Sequence, residues 1–398
     1  MRMSDRISGF QASPIRRLVP YANDAKRRGI HVFHLNIGQP DIVTPPHVIE
    51  AVRNYSPKII AYGQSEGELE LREALPGYYK TFGVDVNPED IMITTGGSEA
   101  IQFVFMTLCD PGDEIIVPEP YYTNVGSFAR GASVVLKPVT SHIEDGFTLP
   151  DIDHFRAQIT EKTRAILLCS PNNPTGHIYT DEEFHQILEL VKEHDLFLIV
   201  DEVYREFCYD CKEFTSALRY TDYADRVIVV DSFSKRYSMC GARIGALVCK
   251  NHAVLDGAMK LAQARLCPPD IEQVAALAAV KTPHEYITRV KAEYQLRRDF
   301  LVKELMTIDG VFCSEPKGAF YLVARLPVED TEDFCIYLLK DFQHNGQTVM
   351  LAPAEGFYVT PNLGKNEVRI AYVLNTTDLK HAVACLRAAL DSYPGTVR

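Results

Sequence analysis

The segment Ser232-Phe-Ser-Lys235, with Arg243 eight residues beyond the lysine, combines an amine nucleophile with two hydroxyls and a guanidinium. It follows the apolar run 227–230, which reads as a buried strand, so the lysine is delivered to a strand end in a Ser- and Gly-containing turn. An amine held there can condense with a carbonyl to form an imine. The two hydroxyls and the planar guanidinium match phosphate oxygens in charge and shape. An imine-forming lysine beside a phosphate site is the arrangement that pyridoxal 5′-phosphate requires.

In open α/β sheets, ligands bind outside the carboxyl ends of the strands, so chemistry should cluster just after apolar runs. Five runs fit. Residues 91–94 lead into Thr95-Gly-Gly-Ser-Glu99 and a helical pattern over 100–108, whose free N–H groups and positive dipole end make an anion site. Residues 114–117 lead into Pro118-Glu-Pro-Tyr-Tyr122, which offers an aromatic face. Residues 165–169 lead into Ser170-Pro-Asn-Asn-Pro-Thr-Gly176, a polar turn with its backbone fixed by prolines. Residues 196–200 end at Asp201-Glu-Val-Tyr204, and 227–230 end at Lys235. The dinucleotide pattern G-x-G-x-x-G is absent from the first of these turns.

With these motifs in this order, the chain resembles the class I aminotransferases, the aspartate aminotransferase-like group of the fold-type I pyridoxal-phosphate enzymes. The resemblance runs from Leu35-Asn-Ile-Gly-Gln-Pro-Asp41 to Val368-Arg-Ile-Ala-Tyr372. It implies that Lys235 is the imine lysine and the base that moves the substrate's proton, with an amine lowered by burial and nearby cations. Asp201 would keep the pyridine nitrogen protonated, and Tyr204 and Asn173 would hydrogen-bond the phenolic oxygen. The turn of Gly97, Ser98 and Glu99, with Ser232, Ser234 and Arg243, would hold the phosphate, and Tyr122 would stack on the ring. Tyr62 would reach the phosphate of a partner subunit, so the active site would exist only in a homodimer. Arg369 would bind the substrate α-carboxylate bidentately, helped by Gly38 and Asn173.

Two departures bear on substrate choice. Some aspartate-preferring relatives carry a lysine after the second glycine, where this chain has Ser98. Tyr122 stands where several relatives have tryptophan, and the chain has no tryptophan. The run Arg236-Tyr-Ser-Met-Cys240 is idiosyncratic and is not expected to disturb the lysine.

At 398 residues the chain is longer than a single core supports, so two domains are expected. Alternating strands and helices over 46–281 indicate a large, doubly wound, mostly parallel α/β domain that would bind the cofactor. A long charged helical pattern begins near Lys281, and strands around 318–324 and 367–373 with helices over 331–343 and 377–390 follow. The resemblance places residues 1–45 with 282–398 in a smaller, discontinuous α+β domain.

A net charge of −12 argues against nucleic acid or an anionic membrane as partner. The opening residues carry no secretory apolar stretch, and no run reaches the ~18 apolar residues of a membrane span. Ten cysteines in such a chain read as reduced thiols, and a lone C-x-x-C at Cys208 and Cys211 has no second pair to build a zinc site. A cytoplasmic enzyme without a metal is expected.

The resulting expectation is a homodimeric pyridoxal-phosphate aminotransferase moving an amino group from an L-amino acid to a 2-oxo acid, with aspartate and 2-oxoglutarate the first pair. Aromatic or alanine substrates are the near alternatives, and a carbon–sulfur β-lyase is the rival chemistry on the same scaffold. A non-catalytic cofactor-binding sensor is opposed by the acidic balance and by family-like sequence beginning near Ser8, which leaves no space for a helix-turn-helix.

Overall fold

A computed structural model of the chain describes residues 3–10, 13–210 and 214–397. In chain order the strands are β1 (His31–His34), β2 (Ile91–Thr94), β3 (Glu114–Glu119), β4 (Val135–Thr140), β5 (Thr163–Cys169), β6 (Phe197–Asp201), β7 (Val227–Ser232) and β8 (Gly245–Cys249). They continue with β9 (Phe312–Cys313), β10 (Tyr321–Arg325), β11 (Gln347–Met350), β12 (Ala352–Pro353) and β13 (Glu367–Ala371).

β2 to β8 make one seven-stranded sheet in the spatial order β2-β8-β7-β6-β5-β3-β4. The pairs within β3–β7 are parallel, and β8 runs antiparallel to both of its neighbours. β2 therefore points the same way as the parallel strands, and their carboxyl ends share one edge. The apolar runs are continuous because both faces are covered. Leu198 and Val200 join one core with Leu168 and Val229, while Ile199 joins another with Leu167 and Val230. Helices Gly96–Leu108 and His252–Arg265 pack on the second face. Helix Asp181–Glu193 packs on the first, started by a reciprocal capping box between Thr180 and Glu183.

Two boundaries differ from the sequence expectation. The helix expected from residue 100 begins at Gly96, so Gly97 and Ser98 form its first turn. Ser232 belongs to β7 rather than to the following turn, because its backbone still pairs with Gly245 of β8.

A second body of structure contains the sheet β12-β13-β10-β9 and the parallel pair β1-β11. Its core joins Leu18, Ala22 and Phe33 from the start of the chain to Leu322, Ile370, Leu379 and Leu386 from the end. Helix His284–Leu305 spans both parts: Tyr286 and Ile287 pack against a core of the large sheet, and Val290, Tyr294, Leu301 and Leu305 lie in the other core.

The expectation of reduced thiols throughout needs correction at Cys208, which is disulfide-bonded; Cys211 lies outside the described residues. The other described cysteines are free. Among the described residues no helix is long and apolar enough to cross a membrane, and no cluster of metal-ligating side chains occurs.

Candidate active site

A cavity of about 530 Å³ opens at the carboxyl ends of the large sheet and reaches to β13. One end of the cavity is built from two turns pressed together. Gly96 has φ +73°, and a Cβ there would sit 2.6 Å from an Arg243 guanidinium nitrogen, so backbone conformation and close approach both require glycine. Arg243 is fixed by donating to the Cys240 carbonyl at 3.0 Å. Ser232 Oγ accepts the Ser234 N–H at 3.1 Å and lies 2.9 Å from Ser234 Oγ. Gly97 and Ser98, in the first turn of a 13-residue helix, also line the cavity, and first-turn N–H groups with the helix dipole favour an anion. Glu99 does not line the cavity. Its carboxylate accepts the Thr95 N–H at 2.7 Å and pairs with Arg265 at 2.9 Å, so the side chain is turned away from the cavity.

Lys235 is half-buried at the cavity, with Nζ donating to the Gly38 carbonyl at 2.9 Å. Burial acts to lower its amine, but the acidic side chains of Tyr321, Cys240 and Tyr122 outweigh it and the net direction is upward. The lowered amine expected from the sequence is therefore not a property of these side chains alone. Beneath Lys235 lies a charged anchor that sequence reasoning missed. Asp231 accepts from Arg236 at 2.7 Å, from the Tyr79 hydroxyl at 2.8 Å and from the Ser232 N–H at 2.7 Å, with Arg205 3.6 Å away. Burial raises the Asp231 carboxyl, but Arg205 and Arg236 overcome this and hold it below the usual carboxylate range. Arg236, in a run that the sequence marked only as idiosyncratic, thus pins the lysine turn. Its only sequence signal was a carboxylate five residues before a guanidinium.

At the other end, Asp201 terminates β6 with its carboxylate accepting the Val203 N–H at 3.2 Å. Burial, reinforced by Asp231 and Glu202, pushes it up to about 7. A carboxylate so deprived of water is primed to pair with a cation. Tyr204 is buried, with its hydroxyl 2.9 Å from that of Tyr321. Tyr122 is half-buried and lines the cavity wall.

Arg369 enters from β13, fully buried, and donates through Nη1 to Asn173 Oδ1 at 3.0 Å and through Nη2 to the Asn36 carbonyl at 2.5 Å. Its Nε has no hydrogen-bond partner among the described residues. Gly38 lines the same wall. Asn36 and Tyr321 were missed by sequence reasoning, which had no signal linking them to residues so distant in the chain. Tyr62 lies away from the cavity and is 80% exposed.

These residues fit a phosphorylated pyridine aldehyde. The glycine cradle with Ser232, Ser234 and Arg243 suits a dianion, Lys235 suits an aldehyde, and the desolvated Asp201 carboxylate suits a pyridinium. Arg369 lines the cavity and pairs with no carboxylate among the described residues, so its guanidinium suits a substrate carboxylate.

Residues 30–386 match the family aminotransferase class I and II. The chain is 30% identical over 404 residues to an aspartate aminotransferase of Rhizobium meliloti (strain 1021), covering 98% of this chain and 96% of that one. It superposes on the crystal structure of an aspartate aminotransferase from Thermotoga maritima with a TM-score of 0.89, at 30% identity, covering 98% of this chain and 100% of that one. The alanine aminotransferase of Pyrococcus furiosus gives a TM-score of 0.87 at 30% identity, with 97% and 99% covered. Matched over nearly its whole length, the chain belongs to the class I and II aminotransferases, enzymes that work with pyridoxal 5′-phosphate.

Proposed function

We propose that this aminotransferase takes dicarboxylic substrates, with aspartate and 2-oxoglutarate as the first pair, and that the residues described above divide the work as follows. Lys235 holds the cofactor covalently between turnovers, and its freed amine takes the substrate Cα proton and returns one. Bound pyridoxal phosphate supplies an electron sink for the charge left at Cα. Asp201 keeps the pyridine nitrogen protonated, while Tyr204 and Asn173 hydrogen-bond the phenolic oxygen. Gly97, Ser98, Ser232, Ser234 and Arg243 bind the phosphate, and Tyr122 covers the ring face. Arg369 orients the α-carboxylate, so that the Cα–H bond faces Lys235.

One observation favours a dicarboxylate. Arg16 is exposed at the cavity and makes no ion pair among the described residues. With Lys235, Arg243 and Arg369 committed to cofactor and α-carboxylate, Arg16 remains as a cation for a second carboxylate. The test is titration of the cofactor-loaded enzyme with single L-amino acids, without any 2-oxo acid, followed by absorbance. Aspartate or glutamate should convert the visible band at far lower concentration than alanine or tyrosine. Equal conversion by all four would remove the dicarboxylate reading, and steady release of pyruvate and ammonia from cystathionine would place the chain among β-lyases.

We infer that the working unit is a homodimer. Ile59, Ile60 and Tyr62 are 78%, 64% and 80% exposed in a segment joined to the 265–266 turn, where Ser65 Oγ donates to the Leu266 carbonyl and Leu266 is itself exposed. Large apolar side chains concentrated on one exposed segment are typical of a surface covered by a partner. Tyr62 would then serve the partner's phosphate. A monomeric mass for the active enzyme in solution would contradict this.

A further inference from the structure

Tyr321 stands at the first position of β10, where its backbone pairs with Ala371 two residues beyond Arg369 on β13. Its side chain is 2% exposed and meets Arg369, Tyr204 and Gly38. The ring lies under Arg369, with the guanidinium carbon 4.5 Å from the ring centre. The hydroxyl is 2.9 Å from the Tyr204 hydroxyl. It also occupies the space that any side chain at residue 38 would need: a Cβ on Gly38 would fall 1.7 Å from the Tyr321 oxygen. The Gly38 carbonyl in turn receives the Lys235 amine.

Resting on the cofactor reading of this cavity, we propose that Tyr321 is a positioning residue: its hydroxyl donates to Tyr204, freeing the Tyr204 proton for the cofactor's phenolic oxygen, and its ring holds the Arg369 guanidinium in plane. The direction follows from proton counting. Each phenol has one proton, and burial keeps Tyr204 neutral. If Tyr204 spent its proton on Tyr321, it would have none to offer into the cavity. With Tyr321 as donor, Tyr204 accepts from behind and donates ahead, and hydrogen bonds in such a chain strengthen one another. The ring contributes separately. Arg369 is held edgewise by Asn173 and Asn36, and an aromatic face under the guanidinium fixes the remaining tilt.

The two functions separate in Tyr321→Phe and Tyr321→Leu. Donation from Tyr204 stabilises the phenolate of the bound cofactor, so a weaker donation lets the neighbouring imine hold its proton to higher pH. In Tyr321→Phe the pH midpoint of the cofactor's visible absorption change should therefore rise by about 0.3–1 unit, while KM for the amino acid stays within about twofold because the ring remains. Tyr321→Leu should show the same midpoint rise together with a KM increase of about tenfold. An unchanged midpoint in Tyr321→Phe, with only a lower melting temperature, would overturn the proposal and leave Tyr321 a packing residue. A wild-type protein that shows no visible band with added pyridoxal phosphate would instead overturn the reading of the cavity, and this proposal with it.

Discussion

The Lys235→Ala protein should bind pyridoxal phosphate through its phosphate contacts yet turn over at least about 10⁴-fold more slowly than wild type. In the roles proposed for Lys235, alanine removes both the amine that links the cofactor and the base that moves the Cα proton, and general acid–base catalysis alone contributes about 10²–10⁴-fold. The cradle of Gly96, Gly97, Ser232, Ser234 and Arg243 does not depend on the lysine. Arg236 and Asp231 pin the turn from below through a 2.7 Å ion pair, so the substitution leaves the phosphate site standing. Stopped turnover with retained cofactor is therefore the expected pattern, read by steady-state rates and by cofactor retention on desalting. Turnover near the wild-type rate would remove Lys235 from the chemistry.

Asp201→Asn should change stability and catalysis in opposite directions. Burial lifts the Asp201 carboxyl to about 7 in the cofactor-free protein, above the ordinary 3.8. Between about pH 4 and pH 7 the folded state keeps a proton that the unfolded state has released. Stability therefore falls as pH rises through that window, and the full cost persists above it. Asparagine has no charge to bury and can still accept the Val203 N–H. The cofactor-free variant should melt at least about 2 °C above wild type at pH 8, and the difference should vanish near pH 4. With cofactor the order reverses. A pyridinium opposite Asp201 makes the buried charge favourable, and losing that pair should weaken cofactor binding and cut kcat by about 10²–10³-fold. A cofactor-free variant no more stable than wild type at pH 8 would show that the Asp201 carboxylate is not destabilised by its site.

The strand ends were legible because parallel strands covered on both faces read as unbroken apolar runs, and the residues just beyond them must face the ligand edge. That logic located Lys235, Asp201, Asn173 and the Gly96 turn. It failed where position depends on contacts between distant parts of the chain. Tyr204 and Tyr321 meet across 117 residues, and Arg369 reaches Asn36 across 333. Neither pairing leaves a local pattern in the sequence. Glu99 looked like part of the phosphate turn because it follows Ser98, yet Arg265, 166 residues away, pairs with it. Arg236 carried no assigned role because its buried partner Asp231 is recognisable only once β7 and its following turn are folded. The upward shift at Lys235 was illegible for the same reason, since Tyr321 and Tyr122 reach it from distant parts of the chain.

The account rests on Lys235 as the residue that carries the cofactor, and borohydride reduction of the loaded enzyme followed by peptide mass mapping tests it most directly. Reduction should fix one phosphopyridoxyl group per chain on the peptide containing Lys235, and prior addition of aspartate should prevent the labelling by converting the cofactor to its amine form. A label on another lysine, or none on a protein that binds the cofactor, would contradict the assignment of this cavity.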